Sequence, residues 1–317
     1  MMQMKNIRSN MTLIILCAVG LAFATLPFWG SEYLLFLAFL FLIYLTFAQM
    51  WNLLAGYSGL ISLGQQAFIG LGGYTMAIMT NYYGYNIWLG VVFGGITSAL
   101  LALVMSLFIF RMKDVYFAIG TWIFAESLML WFSNWEYVKF GSGLMVNPEN
   151  PPDMTTIYYA SFLVGVGSVA VVYGMMRSKL GLGLMAMRDD ENVAEAMGVE
   201  VFWSKFYCFI IGAFVTGTGA GILYIFQVFI QPYKAFSIEW TVLLVFMVII
   251  GGIGTIEGPI VGTFLYILLS QTLSEYMSLS MLIFGGVAIA VILVAPKGIM
   301  GTLHDKLGFE ILSARRR

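Results

Sequence analysis

Long apolar runs, each close to the length that an α-helix needs to cross a bilayer, constrain this sequence more than any other feature. A helix of about 20 apolar residues spans the hydrocarbon layer, where backbone polar groups must be satisfied within the helix itself. The sequence therefore predicts an all-α polytopic membrane protein with about ten transmembrane helices, built as a single domain over residues 1–317. We place the spans at residues 11–29, 33–55, 58–80, 87–110, 115–133, 157–176, 205–231, 239–256, 259–277 and 279–295.

The composition supports this class and excludes others. Hydrophobic residues make up 61% of the chain and charged residues 10%, whereas a soluble domain carries about 25% charged residues. The formal net charge of −1 leaves no basic excess that could neutralise phosphates, so we expect no nucleic-acid partner. This composition is typical of a protein embedded in a lipid bilayer.

The first apolar run allows two interpretations. Ala22-Phe23-Ala24 has the small-x-small pattern of a signal-peptidase site, and basic residues precede the run. A cleaved signal needs an apolar core of only 7–15 residues, but this run continues to Trp29. We therefore favour an uncleaved first span, with cleavage as the alternative.

Basic residues orient the spans. If the N-terminus is cytoplasmic, 13 of the 15 Lys and Arg residues lie on the cytoplasmic side, and only Lys139 and Lys234 lie outside. The positive-inside rule predicts this asymmetry for the correct orientation. Both termini are then cytoplasmic, residues 177–204 form a cytoplasmic loop, and residues 134–156 form an extracytoplasmic loop. The outer loop is rich in Gly, Pro and Asn, which favours an ordered loop or short helix over the outer surface.

Catalytic and metal-binding patterns are missing from the sequence. The dipeptide Gly-Lys does not occur, so the chain has no P-loop for ATP. His304 is the single histidine and has no Cys or His neighbour in the sequence, so we expect a solvated residue rather than a ligand or base. Cys17 and Cys208 lie in apolar runs, where cysteine behaves as a small hydrophobe. We expect no enzyme activity, metal or cofactor in this chain.

The cytoplasmic loop contains a segment, Arg188 to Gly198, with helix-start and helix-stop chemistry. Asp189 or Asp190 can cap the first turn, and Gly198 can end a helix of about two to three turns in the left-handed conformation. A short helix with one apolar face fits a shallow groove of a soluble partner; a solvated loop is the alternative. The apolar face consists of Val193, Ala194, Ala196 and Met197, and the acids Asp189, Asp190, Glu191 and Glu195 are expected to remain in water.

Glycine is too dense in the third span for an ordinary helix, since each glycine costs about 1 kcal/mol against alanine in a helix interior. Either the backbones pack closely there, or the helix is broken and faces a water-filled path. Gln65 and Gln66 favour the path, because side-chain amides in hydrocarbon need partners or a cavity. The glycines are Gly56, Gly59, Gly64, Gly70, Gly72 and Gly73.

Glu126 is the acid placed deepest in a predicted span, with Trp122 and Leu130 near it in the sequence. A carboxylate at that depth costs roughly 2.5–3.5 kcal/mol and faces the protein interior. Two roles are open: a structural residue that fixes helix packing, which we favour slightly, or a path residue that meets an amino group in transit. Its partner is then a polar side chain, water or a second subunit.

Five groups of residues, taken in order from about Asn52 to Gly301, give the chain a family resemblance. Together they resemble the permease subunits of bacterial branched-chain amino acid ABC importers of the LivM type. One departure is Phe140-Gly141-Ser142-Gly143, where family members usually start the outer loop with Thr-Gly-Gly. The matching groups are Asn52–Phe68 with Gly70–Tyr74, Tyr116–Ile119 with Phe124–Glu126, Arg188–Gly198, Gly251–Thr255 with Gly258-Pro259, and Pro296–Gly301.

The resemblance implies an ABC importer permease fold in the plasma (inner) membrane of a bacterium or archaeon. It identifies Arg188–Gly198 as a coupling loop seated in an ATPase subunit. The implied partners are a second homologous permease chain, two ATP-binding subunits that use ATP and Mg, and an extracytoplasmic substrate-binding protein. Amino acids, branched-chain ones first, are the expected substrates; the alternatives are urea or short amides, or an ion-coupled secondary transporter. Candidate path residues are Gln65, Gln66, Gly70, Gly72, Gly73 and Glu126.

Overall fold

The computed structural model describes residues 20–273 and 277–307, which are almost entirely helical. The helices up to the middle of the chain are α1 (Gly20–Trp29), α2 (Glu32–Asn52), a π-helix (Leu53–Tyr57), α3 (Gln65–Asn81), α4 (Ile87–Ile109), α5 (Asp114–Asn134), two 3₁₀-helices (Glu136–Val138 and Phe140–Ser142) and α6 (Met154–Met176). They are followed by α7 (Lys179–Asp189), α8 (Glu191–Ala196), α9 (Val201–Gln227), α10 (Pro232–Ala235), α11 (Ile238–Gly251), α12 (Glu257–Thr272), α13 (Met277–Val294) and α14 (Gly298–Leu307). Two strands complete the elements, β1 (Leu144–Met145) and β2 (Phe229–Ile230).

Seven segments of the described chain are long and apolar enough to cross a membrane, so the polytopic helical class is confirmed. Three further predicted spans correspond to shorter helices, α1, α3 and α12. The count of ten spans and the location of both termini stay predictions. Residues 1–19, which include Cys17 and the first nine positions of the first predicted span, and residues 308–317 lie outside the described residues. The seven segments are Glu32–Tyr57, Ile87–Ile109, Asp114–Asn134, Met154–Met176, Val201–Gln227, Pro232–Gly251 and Leu282–His304.

The centre of the molecule is a contact between α3, α4 and α9 that only glycines permit. A Cβ atom on Gly72 would lie 2.4 Å from the carbonyl oxygen of Gly217, and one on Gly94 would lie 2.5 Å from the carbonyl oxygen of Gly72. Small residues let helix backbones approach this closely in membrane proteins. Helix α2 then packs beside α6 and α9, with Phe39 and Phe47 fully buried.

The segments that were predicted to be extracytoplasmic meet at one end of the helices. Asn81 at the end of α3 donates to the Met145 carbonyl at 2.6 Å and accepts from the Asn147 amide at 2.9 Å. Strand β1 pairs antiparallel with β2, with Leu144 opposite Ile230. These contacts hold the loop of residues 134–156 against the helix ends, while its extracytoplasmic location stays a prediction. The strand pair departs from an all-helical fold because α9 ends at Val228 in the left-handed conformation, φ 59°, which leaves β2 extended.

The segments that were predicted to be cytoplasmic meet at the opposite end. The last turn of α7 contacts the π-helix through Arg188 and Gly56, and the start of α14 packs on the turn between α11 and α12. A Cβ atom on Gly298 would lie 2.5 Å from the Cα atom of Gly252. The helices thus group their ends as the charge pattern requires, while the assignment of this end to the cytoplasm stays a prediction.

Two local expectations were wrong. The third span was placed from residue 58, but α3 begins at Gln65, because the chain turns at Gly59 with φ 75° and Ser58 bonds back to the Leu54 carbonyl at 2.6 Å. His304 was expected to be solvated, but it lies on α14, half-buried, and its Nε2 atom is enclosed without a hydrogen-bond partner among the described residues.

Candidate functional site

The α7–α8 segment is the candidate functional site, and its helix caps follow the prediction. The Asp190 carboxylate accepts from the amides of Asn192 at 2.9 Å and Val193 at 3.1 Å, which satisfies two free donors at the start of α8. Gly198 follows the helix with φ 86°, the conformation that favours glycine. Helix α8 itself has six residues and is shorter than predicted, since α7 takes up the chain before Asp190 as a separate helix.

One face of the segment is fixed to the rest of the chain, which corrects two expectations. Ala194 is only 1% exposed and lies in the same apolar cluster as Leu184 and Met187, so it does not belong to a free docking face. Glu191 was expected to remain in water, but its carboxylate forms an ion pair with the buried Lys205 of α9, Nζ to Oε2, at 2.7 Å. A buried ammonium needs such a partner, and this pair holds α8 against α9.

The opposite face of α8 is open. Val193 is 55% exposed and Met197 is 78% exposed, although both are side chains that gain free energy from burial, on the order of 1.5–3 kcal/mol when complete. The neighbouring side chains on the segment that are also exposed are Arg188, Asp189, Asp190, Asn192, Glu195 and Ala196. The arrangement is a small apolar surface bordered by acids, suited to contact with another protein.

Arg188 points away from this open face. Its Nη1 donates to the Gly56 carbonyl at 2.6 Å, across 132 residues of sequence. The sequence grouped Arg188 with the docking residues because it precedes the acids of α8. No local signal marks the Gly56 carbonyl as its acceptor.

The six glycines between positions 56 and 73 have two different roles, helix interruption and close helix packing. Gly56, Gly59 and Gly64 lie in or beside a break, formed by the π-helix and the non-helical residues 59–64. Beyond the break, Gly70 faces the Phe236 ring, Gly73 faces Tyr224, and Gly72 makes the close backbone contact with α9. The first part of the run is therefore an interruption of the helix, and the second part is close packing.

Gln65 and Gln66 use their amides in contacts between helices. Gln65 Nε2 donates to the Thr216 hydroxyl of α9 at 2.7 Å. Gln66 Nε2 donates to the Leu63 carbonyl at 2.9 Å, and its Oε1 accepts from the Thr241 hydroxyl of α11. The threonine partners were missed by the sequence analysis, since an isolated Thr in an apolar span carries no signal of its own.

Glu126 is half-buried on α5 and makes no hydrogen bond or ion pair with the described residues. Its neighbour Ser127 bonds to the Ile123 carbonyl of the same helix at 2.7 Å. Among the candidate path residues with polar side chains, Gln65, Gln66 and Glu126, only Glu126 has no hydrogen-bond or ion-pair partner among the described residues. Among the residues described here, no group of three or more His, Cys, Asp or Glu side chains could hold a metal ion.

Comparison with known proteins gives a consistent result. A family model described as "Branched-chain amino acid transport system / permease component" matches residues 33–295. The high-affinity branched-chain amino acid transport system permease protein LivM of Salmonella typhimurium is 24% identical, over 95% of this chain and 77% of the relative, and LivM of Escherichia coli gives the same values. A probable branched-chain amino acid transport permease protein LivH of Methanocaldococcus jannaschii is 23% identical over 48% of this chain and 50% of its own length. No solved structure matches.

Proposed function

This chain belongs to the family of permease components of branched-chain amino acid transport systems, and on that premise we propose that it forms half of the translocation path of an ATP-driven importer. The family is the one predicted from the five sequence groups, so that prediction is confirmed. As a member with seven apolar spanning helices, the chain is a multi-pass integral protein of the plasma membrane. Its proposed substrates are amino acids, branched-chain ones first.

The open face of α8 is the observation that carries this proposal. Val193 and Met197 are exposed beside acids, while the inner side of the same segment is held by Ala194 and by the Glu191–Lys205 ion pair. A surface that is apolar outside and anchored inside can receive force from a soluble partner and pass it to the membrane helices. We assign this role to an ATP-binding subunit, one of two in the complex.

The proposed mechanism is an exchange between two states of the complex. An extracytoplasmic binding protein delivers substrate to the outer loops, and the two ATP-binding subunits close on ATP and Mg. Their movement shifts α8, and α8 shifts the spans of this chain and of a second, homologous permease chain. A ligand changes such an equilibrium only through a difference in its affinity for the two states, so this chain contributes the moving segment and half of the path and no catalytic group.

Glu126 is our proposed path residue on this chain. Its carboxylate is half-buried at a predicted membrane depth and unused by the described residues, and a carboxylate in that setting faces protein or water rather than lipid tails. An amino group in transit, or a polar group of the second permease chain, would complete its interactions. Gln65 and Gln66, by contrast, are already occupied in contacts between helices.

Co-purification in lipid with candidate ATP-binding subunits tests the proposal. ATP hydrolysis is measured with and without the neighbouring binding protein, and with a panel of amino acids, urea and short amides. We expect stimulation by one liganded binding protein, and the active ligand then identifies the substrate class. If no ATPase co-purifies under any condition, the proposal fails, and ion-coupled uptake by Glu126 variants becomes the next experiment.

A charge change on the open face locates the contact. Glu195 and Ala196 are both exposed on α8, so the double variant Glu195→Lys with Ala196→Glu alters this face and leaves the anchored side intact. We expect weaker ATPase co-purification and loss of ATP-driven uptake. The matched control is Glu149→Lys, an exposed acid in the loop at the other end of the helices, which should leave co-purification unchanged. Normal uptake by the double variant would contradict the docking role of α8.

A further inference from the structure

Three segments meet at one point on the α7–α8 end of the molecule. They are the last turn of α7, the π-helix that ends α2, and the turn of residues 252–256 between α11 and α12. The π-helix and the turn both interrupt apolar segments, and π-helices occur frequently at functional sites. The three segments are joined by a small number of hydrogen bonds of 2.6–2.9 Å.

Arg188 joins α7 to the π-helix. Its Nη1 lies 2.6 Å from the carbonyl oxygen of Gly56, and its backbone faces Gly59. A helix leaves its last four carbonyls without internal partners, and they carry the negative end of the helix dipole. A guanidinium is therefore a suitable donor, and a charged donor makes a stronger bond than a neutral one.

Asn52 and Gln49 join the turn to α2. Asn52 accepts from the Gly254 amide at 2.8 Å and donates to the Thr255 carbonyl at 2.9 Å. Gln49 donates to the Ile256 carbonyl at 2.8 Å. The backbone of the turn is thus held by side chains of α2.

Glycine at position 254 allows Arg188 to reach both segments. A Cβ atom there would lie 2.2 Å from Arg188 Nη1 and 2.9 Å from the Gly56 carbonyl oxygen, and the residue has φ 75°. The guanidinium is therefore packed directly on the turn while it bonds to the π-helix. Tyr57 lies within electrostatic range of Arg188 and of the buried Glu257, which begins α12.

We propose that Arg188 is a positioning residue that links the α7–α8 segment to both interrupted helices at once. The open face of α8 receives the partner, and Arg188 passes the displacement to the π-helix at Gly56 and to the turn at Gly254. This inference rests on the proposed function for its role in transport, but the contact itself exists in the isolated chain. It separates Arg188 from the docking residues with which the sequence grouped it.

Variants of Arg188 in the complex test the link. Arg188→Met keeps an unbranched apolar stem and removes the donor, and Arg188→Lys restores a charged donor. The matched control is Arg177→Met, since Arg177 bonds to Tyr173 within its own helical turn at 2.6 Å. We expect Arg188→Met to co-purify with the ATP-binding subunits and to hydrolyse ATP within about twofold of the unmodified complex, while uptake falls about tenfold or more. Arg188→Lys should recover part of the uptake.

Two outcomes would overturn the link. If Arg188→Met loses the ATP-binding subunits, Arg188 is a docking residue. If its uptake equals that of Arg177→Met, the contact has no role in transport. If Arg188→Met does not accumulate in cells, Arg188→Lys is compared with the unmodified chain instead. We then expect Arg188→Lys to lower uptake more than it lowers ATP hydrolysis.

Hydrogen exchange in the purified full chain separates this proposal from the proposed function. The Gly254 amide is bonded to Asn52, so peptides over residues 252–256 should be protected in the unmodified chain. Arg188→Met should speed their exchange about tenfold or more, and Arg177→Met should not. Equal rates in the two variants would refute the link whatever the transport result. If exchange depends on Arg188 but the unmodified complex shows no ATP-driven uptake, the importer role is refuted and the contact is still supported.

Discussion

Helices α3 and α5 carry the candidate path residues, and they differ in how far the rest of the chain buries them. In α3, 13 of 17 residues are buried, whereas in α5 only 6 of 21 are buried. The polar side chains at the start of α3 bond to α9 and α11, but Glu126 on α5 has no partner among the described residues. In sequence, α3 differs by its glycines, but both helices are apolar and carry a few polar side chains.

The difference teaches that a polar residue in an apolar helix takes its role from the surfaces around it. Gln66 lies where α3 and α11 meet, so its amide satisfies a backbone carbonyl and a hydroxyl. Glu126 lies on a helix with most of its surface uncovered by this chain, so its partner has to come from outside the described residues. Stability and transport should therefore separate between the two helices. Three predictions test this from the largest effect to the smallest, and a fourth, smaller one concerns the residue before α6.

The largest effect is expected for Gly72→Ala in α3. The new Cβ atom would lie 2.4 Å from the Gly217 carbonyl oxygen, and backbone cannot move away as a side-chain tip can. We expect a loss of about 3 kcal/mol or more of unfolding free energy, measured by thermal unfolding in detergent. Gly167→Ala on α6 is the control, because nothing lies within 4 Å of its Cβ position, and it should be neutral or stabilising. A stable Gly72→Ala protein would mean that α3 is not packed tightly against α9.

A smaller loss is expected for Gln66→Leu. The change leaves the Leu63 carbonyl and the Thr241 hydroxyl without their partner in a buried site, which costs about 2 kcal/mol. Combining it with Thr241→Val should cost less than the sum of the single changes, because the two side chains share one bond. Additive losses in this double-mutant cycle would show that the two side chains act independently.

Glu126→Gln should change transport more than stability. The side chain has no partner among the described residues, so we expect the unfolding free energy to stay within about 0.5 kcal/mol. If Glu126 meets an amino group in transit, uptake should fall severalfold in reconstituted vesicles. Ser127→Ala is the control on the same helix, since Ser127 bonds only within α5. A large loss of stability with normal uptake would give Glu126 a structural role like that of Gln66.

The smallest effect concerns Asp153, the carboxyl group that precedes α6. The Thr156 hydroxyl bonds to its carboxylate and lowers the pKa of Asp153 below its ordinary value. The ionised form is thus favoured in the folded chain, and its small contribution is present above the unfolded pKa and is lost as pH falls through the lower folded pKa. Thr156→Val should raise the pKa of Asp153 toward its ordinary value. The measurement is thermal unfolding across acidic pH, with Asp153→Asn as the variant that lacks the titrating group. Identical pH profiles for the unmodified chain and Thr156→Val would contradict this.

Much of the fold was predictable because its signals are local. Runs of apolar residues set the spans, and the caps of α8 follow from Asp190 and Gly198, whose partners lie within a few residues. The orientation inferred from the charge pattern stays a prediction. Family motifs then identified the class of transporter, which the match over residues 33–295 confirmed.

The candidate site was predictable only in part. The sequence placed α8 and its open apolar side chains, Val193 and Met197, but it also counted Ala194 in that face, which is buried against the chain. It placed Arg188 beside the docking residues, while the structure turns its guanidinium to Gly56. Both errors have one cause: a helical pattern shows which residues share a face, but not which face a distant segment will cover.

By itself, then, the sequence determined the membrane class, the α8 caps and the family, since each depends on neighbours in the chain or on composition. Tertiary structure alone decided how the dense glycines divide between a helix break and close packing, and how the polar groups are paired. Arg188 and Gly56 are 132 residues apart, and Asn52 and Thr255 are 203 apart. The physical reason is that a buried hydrogen bond, or a backbone approach so close that only glycine fits, requires a specific partner in space, and that partner is fixed only when the helices pack.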